Sequence, residues 1–248
     1  MSSIAVMGSA ERWGPLWGAR PADWALSEDQ QLPTYEDALR RVGLAPRQLV
    51  LDIGCGVGAF LRLVAAHGAR TFGLDASEAL LDVARQRLPD ADLRLGEMEA
   101  LPYENDTFDL VTGFNAFFFA NDIVAALREA GRVAKPGAPV VIQVWGPHER
   151  NDLEAVKAII RPYFPPRPED ARPEPDYSKP GVLEDIASKA GLELEEHVRQ
   201  HLVLRVPRRG VRPARAHRTR RDRGPRLSRP RERGQGRDRR WTRDASRS

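Results

Sequence analysis

The sequence predicts an α/β fold in which a doubly wound, mostly parallel sheet carries helices on both faces. Three observations point to it. Short β-branched and apolar runs alternate with helix-period segments from residue 48 to residue 146. The first of these runs, Val50-Leu51-Asp52-Ile53, passes directly into Gly54-Cys55-Gly56-Val57-Gly58, and a helical pattern follows. The second run closes on an acid, Asp75, 21 residues after Gly54.

Residues 1–31 contain Trp13, Trp17 and Trp24 but are broken by Gly14, Pro15, Gly18 and Pro21. They read as an irregular N-terminal arm with at most short helices. Leu32, Tyr35, Leu39 and Val42 recur at helical spacing and predict a helix over 32–42. Gln48–Ile53 is a buried strand, Phe60–Ala66 a helix and Thr71–Leu74 a second strand. Ser77 can cap the next helix, with Leu80, Leu81 and Ala84 behind it. Leu93–Leu95, Phe108–Thr112 and Pro139–Val144 supply three more strands, and Ile123–Val133 the helix between the last two. Beyond them, Leu153–Ile160 reads as a helix, and residues 162–180, with 7 of the 20 prolines, as an extended connection. Leu183–Ala190 reads as a short helix and Leu192–Val206 as a long strand with one solvent face. The expected division is an arm at 1–31, one domain at 32–206 and a tail at 207–248.

The 248 residues suffice for one sizeable core, and 41% of them are apolar. No run approaches the ~20 apolar residues of a spanning helix, so no membrane is expected. The first residues lack the basic region and long apolar run of a secretory signal, and a single cysteine, Cys55, excludes internal disulfides and multi-cysteine zinc sites. A cytoplasmic protein is expected. Residues 205–248 hold 18 arginines and 4 acids, a net +14, whereas the other 204 residues hold 21 bases and 31 acids, a net −10. The basic balance therefore belongs to the tail alone.

Glycine at every second position after a buried strand permits a tight turn and close approach of a ligand to the backbone. Such loops serve NAD, FAD and S-adenosylmethionine alike, and Gly54-x-Gly56-x-x-Ala59 fits the dinucleotide pattern. Asp75 can accept hydrogen bonds from both hydroxyls of a ribose in any of these. Asp52 discriminates. A carboxylate immediately before the turn can fix the loop's amides and receive a cationic ligand group, but would repel a pyrophosphate.

VLDIGCGVG, GLDAS, GEMEALPYENDTFDLV and LREAGRVAKPGAPVVI, in that order, resemble the class I S-adenosylmethionine-dependent methyltransferases, which have a Rossmann-like fold. The similarity is greatest to their small-molecule, ubiquinone/menaquinone-type group and covers residues 33–206. It implies that Asp52, Gly54, Cys55 and Gly56 hold the amino-acid part of S-adenosyl-L-methionine and that Asp75, with Ala76 beside it, holds the ribose. It implies further that Glu97 and the backbone of Met98 read the adenine, that Leu80 packs on the ring, and that Asn115 lies near the methionine part. Glu97 stands where the group often has Asp, and Ala138 where a second Gly is usual. The expected activity is methyl transfer to a small-molecule acceptor by in-line displacement, with no metal. A nicotinamide-dependent oxidoreductase, or a cofactor-binding chain without turnover, is the alternative.

Positioning carries most of such a reaction, and a base is needed only when the acceptor must lose a proton early. His148, just past the fifth strand, is the candidate base or an exposed loop histidine. Phe114, Phe117, Phe118 and Phe119 can line an acceptor pocket or pack the core, and Trp13 and Trp17 can form a flap over the cofactor or lie packed on the body. The tail cannot bury a core and is expected to be disordered. It reads either as a basic arm for nucleic acid, without sequence specificity, or as the out-of-frame translation of GC-rich coding DNA.

Overall fold

The computed structural model describes residues 8–151, 157–159, 162 and 175–198. Five strands run in chain order: β1 (Leu49–Ile53), β2 (Arg70–Asp75), β3 (Asp92–Leu95), β4 (Leu110–Phe114) and β5 (Val140–Gln143). They form one sheet in the order β3-β2-β1-β4-β5, with every pairing parallel. The expected α/β architecture is thus present: the connections between the paired strands β1 and β2, β2 and β3, and β4 and β5 each carry a helix, whereas β3 reaches β4 without one.

The helices are α1 (Ser9–Trp17), α2 (Pro21–Ser27), α3 (Leu32–Val42), α4 (Ala59–Ala66), α5 (Glu78–Arg87), α6 (Ile123–Val133) and α7 (Val182–Lys189). Their ends follow local chemistry. Gly43 closes α3 in the left-handed conformation at φ 62°. The Ser77 hydroxyl accepts from the Leu80 amide at the start of α5, and the Asp122 carboxylate accepts from Val124 and Ala125 at the start of α6.

Alternate residues of β1 feed two cores. Leu51 and Ile53 pack with Leu127, Ala130 and Val133 of α6 and Ile186 of α7. Val50 packs on the opposite face with Leu39, Phe60 and Leu81, from α3, α4 and α5. A central strand buried on both sides explains why its sequence shows no polar alternation.

Two expectations need correction. β4 starts at Leu110 rather than Phe108, which makes only a bridge to Ala134. The intervening Asp109 turns its carboxylate onto the Leu49 amide (2.8 Å) and Lys135 Nζ (2.7 Å), occupying the edge along which the ladder would continue. Leu192–Val198 is not a strand. Leu192 packs on α6 near Gly131, while Glu196 pairs with Arg41 (2.7 Å) and His197 with Glu184 (3.2 Å), so the segment is tied to helices instead. The arm holds the short helices that the sequence allowed, α1 and α2, and a 3-10 turn at Glu28–Gln31. The remainder of the Leu192–Val206 strand, most of the 153–160 helix and the tail lie outside the described residues.

Candidate functional site

The sheet order reverses between β1 and β4, so the connections leaving these two strands run to opposite faces and a crevice opens at their carboxyl ends. A cavity of about 300 Å³ lies there. Of the residues expected at a cofactor, it is lined by Gly54, Gly56, Asp75, Ala76, Leu80, Met98 and Asn115. Asp52, Cys55 and Glu97 do not line it.

The loop explains the first two exceptions. Gly54, Gly56 and Gly58 all have positive φ (73°, 54° and 84°), which a residue with a side chain rarely adopts. A Cβ on Gly54 would stand 2.5 Å from Ala116 Cβ, and one on Gly56 3.2 Å from the Trp24 indole nitrogen. The missing side chains therefore make room for protein, whereas the sequence reading reserved that room for a ligand. The amides of Gly54 and Cys55 donate to Leu74 O (2.7 and 3.1 Å), and that of Gly56 to Asp75 Oδ2 (2.8 Å). The other Asp75 oxygen accepts from the Ser77 amide (2.8 Å). Asp75 rather than Asp52 thus fixes the loop. Burial raises the Asp75 carboxyl, against the pull of these amides.

Asp52 lies beneath the loop, 3% exposed, its Oδ1 accepting from Thr112 Oγ1 at 2.7 Å. Burial pushes its carboxyl up to about 8; the Thr112 hydroxyl opposes this, and Asp75 and Glu28 add to it. Cys55 turns its thiol into the core against Gly73, and burial pushes that thiol up as well.

Glu97 is engaged by the arm, on two residues that themselves line the cavity. Its Oε2 accepts from Ser9 Oγ and from the Ala10 amide, both at 2.7 Å, at the start of α1. A carboxylate suits the positive end of a helix. The extra methylene of Glu over Asp gives this side chain the reach. Met98, next to it, does border the cavity.

The arm roofs the site. Gly14 and Gly18 bring α1 onto the β2–α5 turn, so closely that a Cβ on Gly14 would lie 2.1 Å from Ala76 O. Trp13 and Trp17 stack edgewise on Phe119 at 5.0 and 5.5 Å, and Trp17 on Trp24 at 5.2 Å. At its far end Glu28, 4% exposed, accepts from the Ala59 amide at the start of α4 and from Arg87 Nη1 (3.3 Å), which also donates to Val57 O (3.1 Å). Burial pushes Glu28 up to about 7, with Arg87 pulling the other way.

Sequence reasoning missed Trp24, Gln31, Tyr35 and Trp145 as lining residues. Tyr35 and Gln31 sit where helical spacing signals only core, whereas the density of tryptophan before residue 31 was a usable signal. Of the expected phenylalanines, Phe114, Phe118 and Phe119 border the cavity and Phe117 is buried in the core. His148 opens a 3-10 turn beyond β5.

Asn115 is the most telling residue. It follows β4 at φ 54°, unusual for a residue with a side chain, and its buried Oδ1 has no hydrogen-bond partner. A strained backbone presenting an unpaired acceptor at a cavity marks a place built for a donor from elsewhere.

The parallel sheet, the glycine turn and the acid closing β2 make a Rossmann-like unit with its crevice at the carboxyl ends of the strands. Residues 51–142 match the family described as the methyltransferase domain. Demethylmenaquinone methyltransferase of Renibacterium salmoninarum is 38% identical over 101 residues, 41% of this chain and 43% of that protein. Malonyl-acyl-carrier-protein O-methyltransferase of Serratia marcescens is 35% identical over 108 residues, 44% of this chain and 42% of the relative. The chain spans under half the length of these two curated relatives. The crystal structure of a candidate methyltransferase from Bacillus halodurans shares the fold, with a TM-score of 0.51 and 22% identity over 65% of this chain and 70% of the other.

Proposed function

We propose that the chain transfers the methyl group of S-adenosyl-L-methionine to a small-molecule acceptor. The observation that carries this reading is the pairing of two acceptors along one cavity: the orphaned Oδ1 of Asn115 and the Asp75 carboxylate, which keeps spare accepting capacity after serving the amides of Gly56, Ser77 and Ala76. An ammonium and a pair of ribose hydroxyls are the donors that satisfy them. Ala76, Leu80 and Met98 give a flat apolar slot suited to a purine. Asp52, beneath the loop, contributes negative charge once ionised.

When bound, the sulfonium supplies an electrophilic methyl. The chain's own part is to orient the cofactor from Asp75 and Asn115 and to keep water out with the tryptophans of the arm. In this reading residues 8–31 are the roof of the methyltransferase unit rather than a domain apart, and Glu97 secures that roof instead of reading adenine. A nicotinamide dinucleotide fits less well, since its pyrophosphate would meet a turn backed by Asp52 and Asp75. No helix among the described residues is long and apolar enough to cross a membrane, and the acidic body argues against specific nucleic-acid binding. A cytoplasmic setting accords with the one buried cysteine.

Calorimetry with S-adenosylhomocysteine and with NADH tests the proposal. The adenosyl compound should bind and NADH should not, and Asp75→Ala should weaken binding by ~1.5–3 kcal/mol, the scale of hydrogen bonds to a charged group. Binding of NADH alone would overturn it.

A further inference from the structure

The acceptor end of the cavity has an unusual charge balance. Among the described lining residues Asp75 alone carries a formal charge, and it belongs to the glycine turn. The remaining wall is aromatic: Trp13, Trp17, Trp24, Tyr35, Phe119 and Trp145. Its polar groups are neutral. Gln31 is an amide, and the Tyr35 hydroxyl is pushed far above its ordinary range by burial, with Asp52 and Glu28 adding to the effect. No lysine, arginine or histidine is among the described lining residues, so an oxyanion leaving water there would find no protein cation. Nor do they include a carboxylate or imidazole, Asp75 excepted, to take a proton from a hydroxyl before attack. Indole and phenol faces do the opposite service: they attract cations, most strongly where water is excluded.

We propose that the acceptor is an uncharged amine nitrogen on a flat, apolar body, a reading that rests on the methyltransferase function proposed above. The nitrogen lone pair forms the new N–C bond as the C–S bond breaks and its electron pair stays on sulfur. One positive charge moves from sulfur to nitrogen inside the aromatic wall, and no base is required before transfer. A secondary or primary amine loses its proton to water afterwards; a heteroaromatic nitrogen keeps the charge. Trp17 and Trp24, edge to face at 5.2 Å, are the residues placed to stabilise the methylated cation.

The test uses the full chain saturated with S-adenosylhomocysteine, whose binding is checked first by calorimetry. If it does not bind, the methyltransferase reading itself fails. With it bound, tryptophan fluorescence quenching is titrated with three bicyclic probes of one shape: N-methylisoquinolinium, 2-naphthol and 2-naphthoate. The cation should bind at least ten-fold more tightly than the carboxylate and more tightly than the neutral phenol. Trp17→Leu, compared at saturating S-adenosylhomocysteine, should erase most of that preference, read as the ratio of cation to carboxylate affinity. In turnover assays isoquinoline and tetrahydroisoquinoline should be methylated at least ten-fold faster than 2-naphthol or 2-naphthoate. Equal binding of cation and carboxylate, or preference for the carboxylate in a chain that binds S-adenosylhomocysteine, overturns the amine assignment alone.

Discussion

Glu28 offers a direct measure of how firmly the arm is seated. Its carboxyl is withdrawn from water beneath the glycine turn, and burial carries it from an ordinary 4.5 to about 7, net of the attraction of Arg87. A group raised in the folded state stabilises fully below its unfolded value, and that contribution is lost as pH rises through the folded value. At about 1.4 kcal/mol per pH unit, the gap corresponds to ~3 kcal/mol, lost between pH 4.5 and pH 7. Glu28→Gln removes this titration and keeps a side chain of similar size. Unfolding by urea, followed at a series of pH values for both proteins, isolates it, because acids remote from Glu28 titrate in both and cancel, while Asp52, which feels the Glu28 charge, titrates at higher pH. The stability of the wild type minus that of E28Q should fall by ~3 kcal/mol from pH 4.5 to pH 8, with its steepest slope between 5 and 7. A difference that stays flat across this range would mean that Glu28 is solvated in both states, and the docking of the 3-10 turn on α4 would be refuted.

Three further outcomes follow from the site. The ammonium of S-adenosylhomocysteine favours ionised Asp52, whose carboxyl stands at about 8, so its binding near pH 7.5 should release protons and tighten as pH rises towards 8; identical heats in buffers of different ionisation enthalpy would count against this. Asn115→Gly keeps the positive φ accessible and removes the amide, and should weaken S-adenosylhomocysteine by ~1–3 kcal/mol in the same calorimeter; unchanged affinity takes Asn115 out of the site. Gly14→Val drives a side chain into Ala76 O and should undock α1, which limited proteolysis would register as faster cleavage within residues 8–31. Cleavage at the wild-type rate would show that α1 is held some other way.

The sheet was legible because β1, β4 and β5 are mostly apolar runs bounded by turns, and α3 and α6 were readable to the residue from their spacing. The cavity was legible where a backbone turn or a strand end builds it, as at Gly54, Asp75 and Asn115. It was less so where two carboxylates compete for one task. Sequence cannot decide between Asp52 and Asp75 as partner of the Gly56 amide, because the register of β2 against β1 sets the choice. The bond that Glu97 makes was invisible for a related reason: its partner Ser9 lies 88 residues away on the arm, beyond the reach of any local pattern. The Leu192–Val198 segment alternates like a strand, yet its ion pairs with Arg41 and Glu184 are tertiary.

The aromatic wall has an origin worth drawing out. Trp13, Trp17, Trp24 and Tyr35 precede the segment that matches the methyltransferase family and Trp145 follows it, whereas Phe119 falls inside it with Asp75, Leu80, Met98 and Asn115. Most of the wall's rings therefore come from outside the matching segment. On the amine reading, exchanging residues 8–42 between chains of this fold should change which probe binds while the turn at Gly54–Gly58 keeps its geometry.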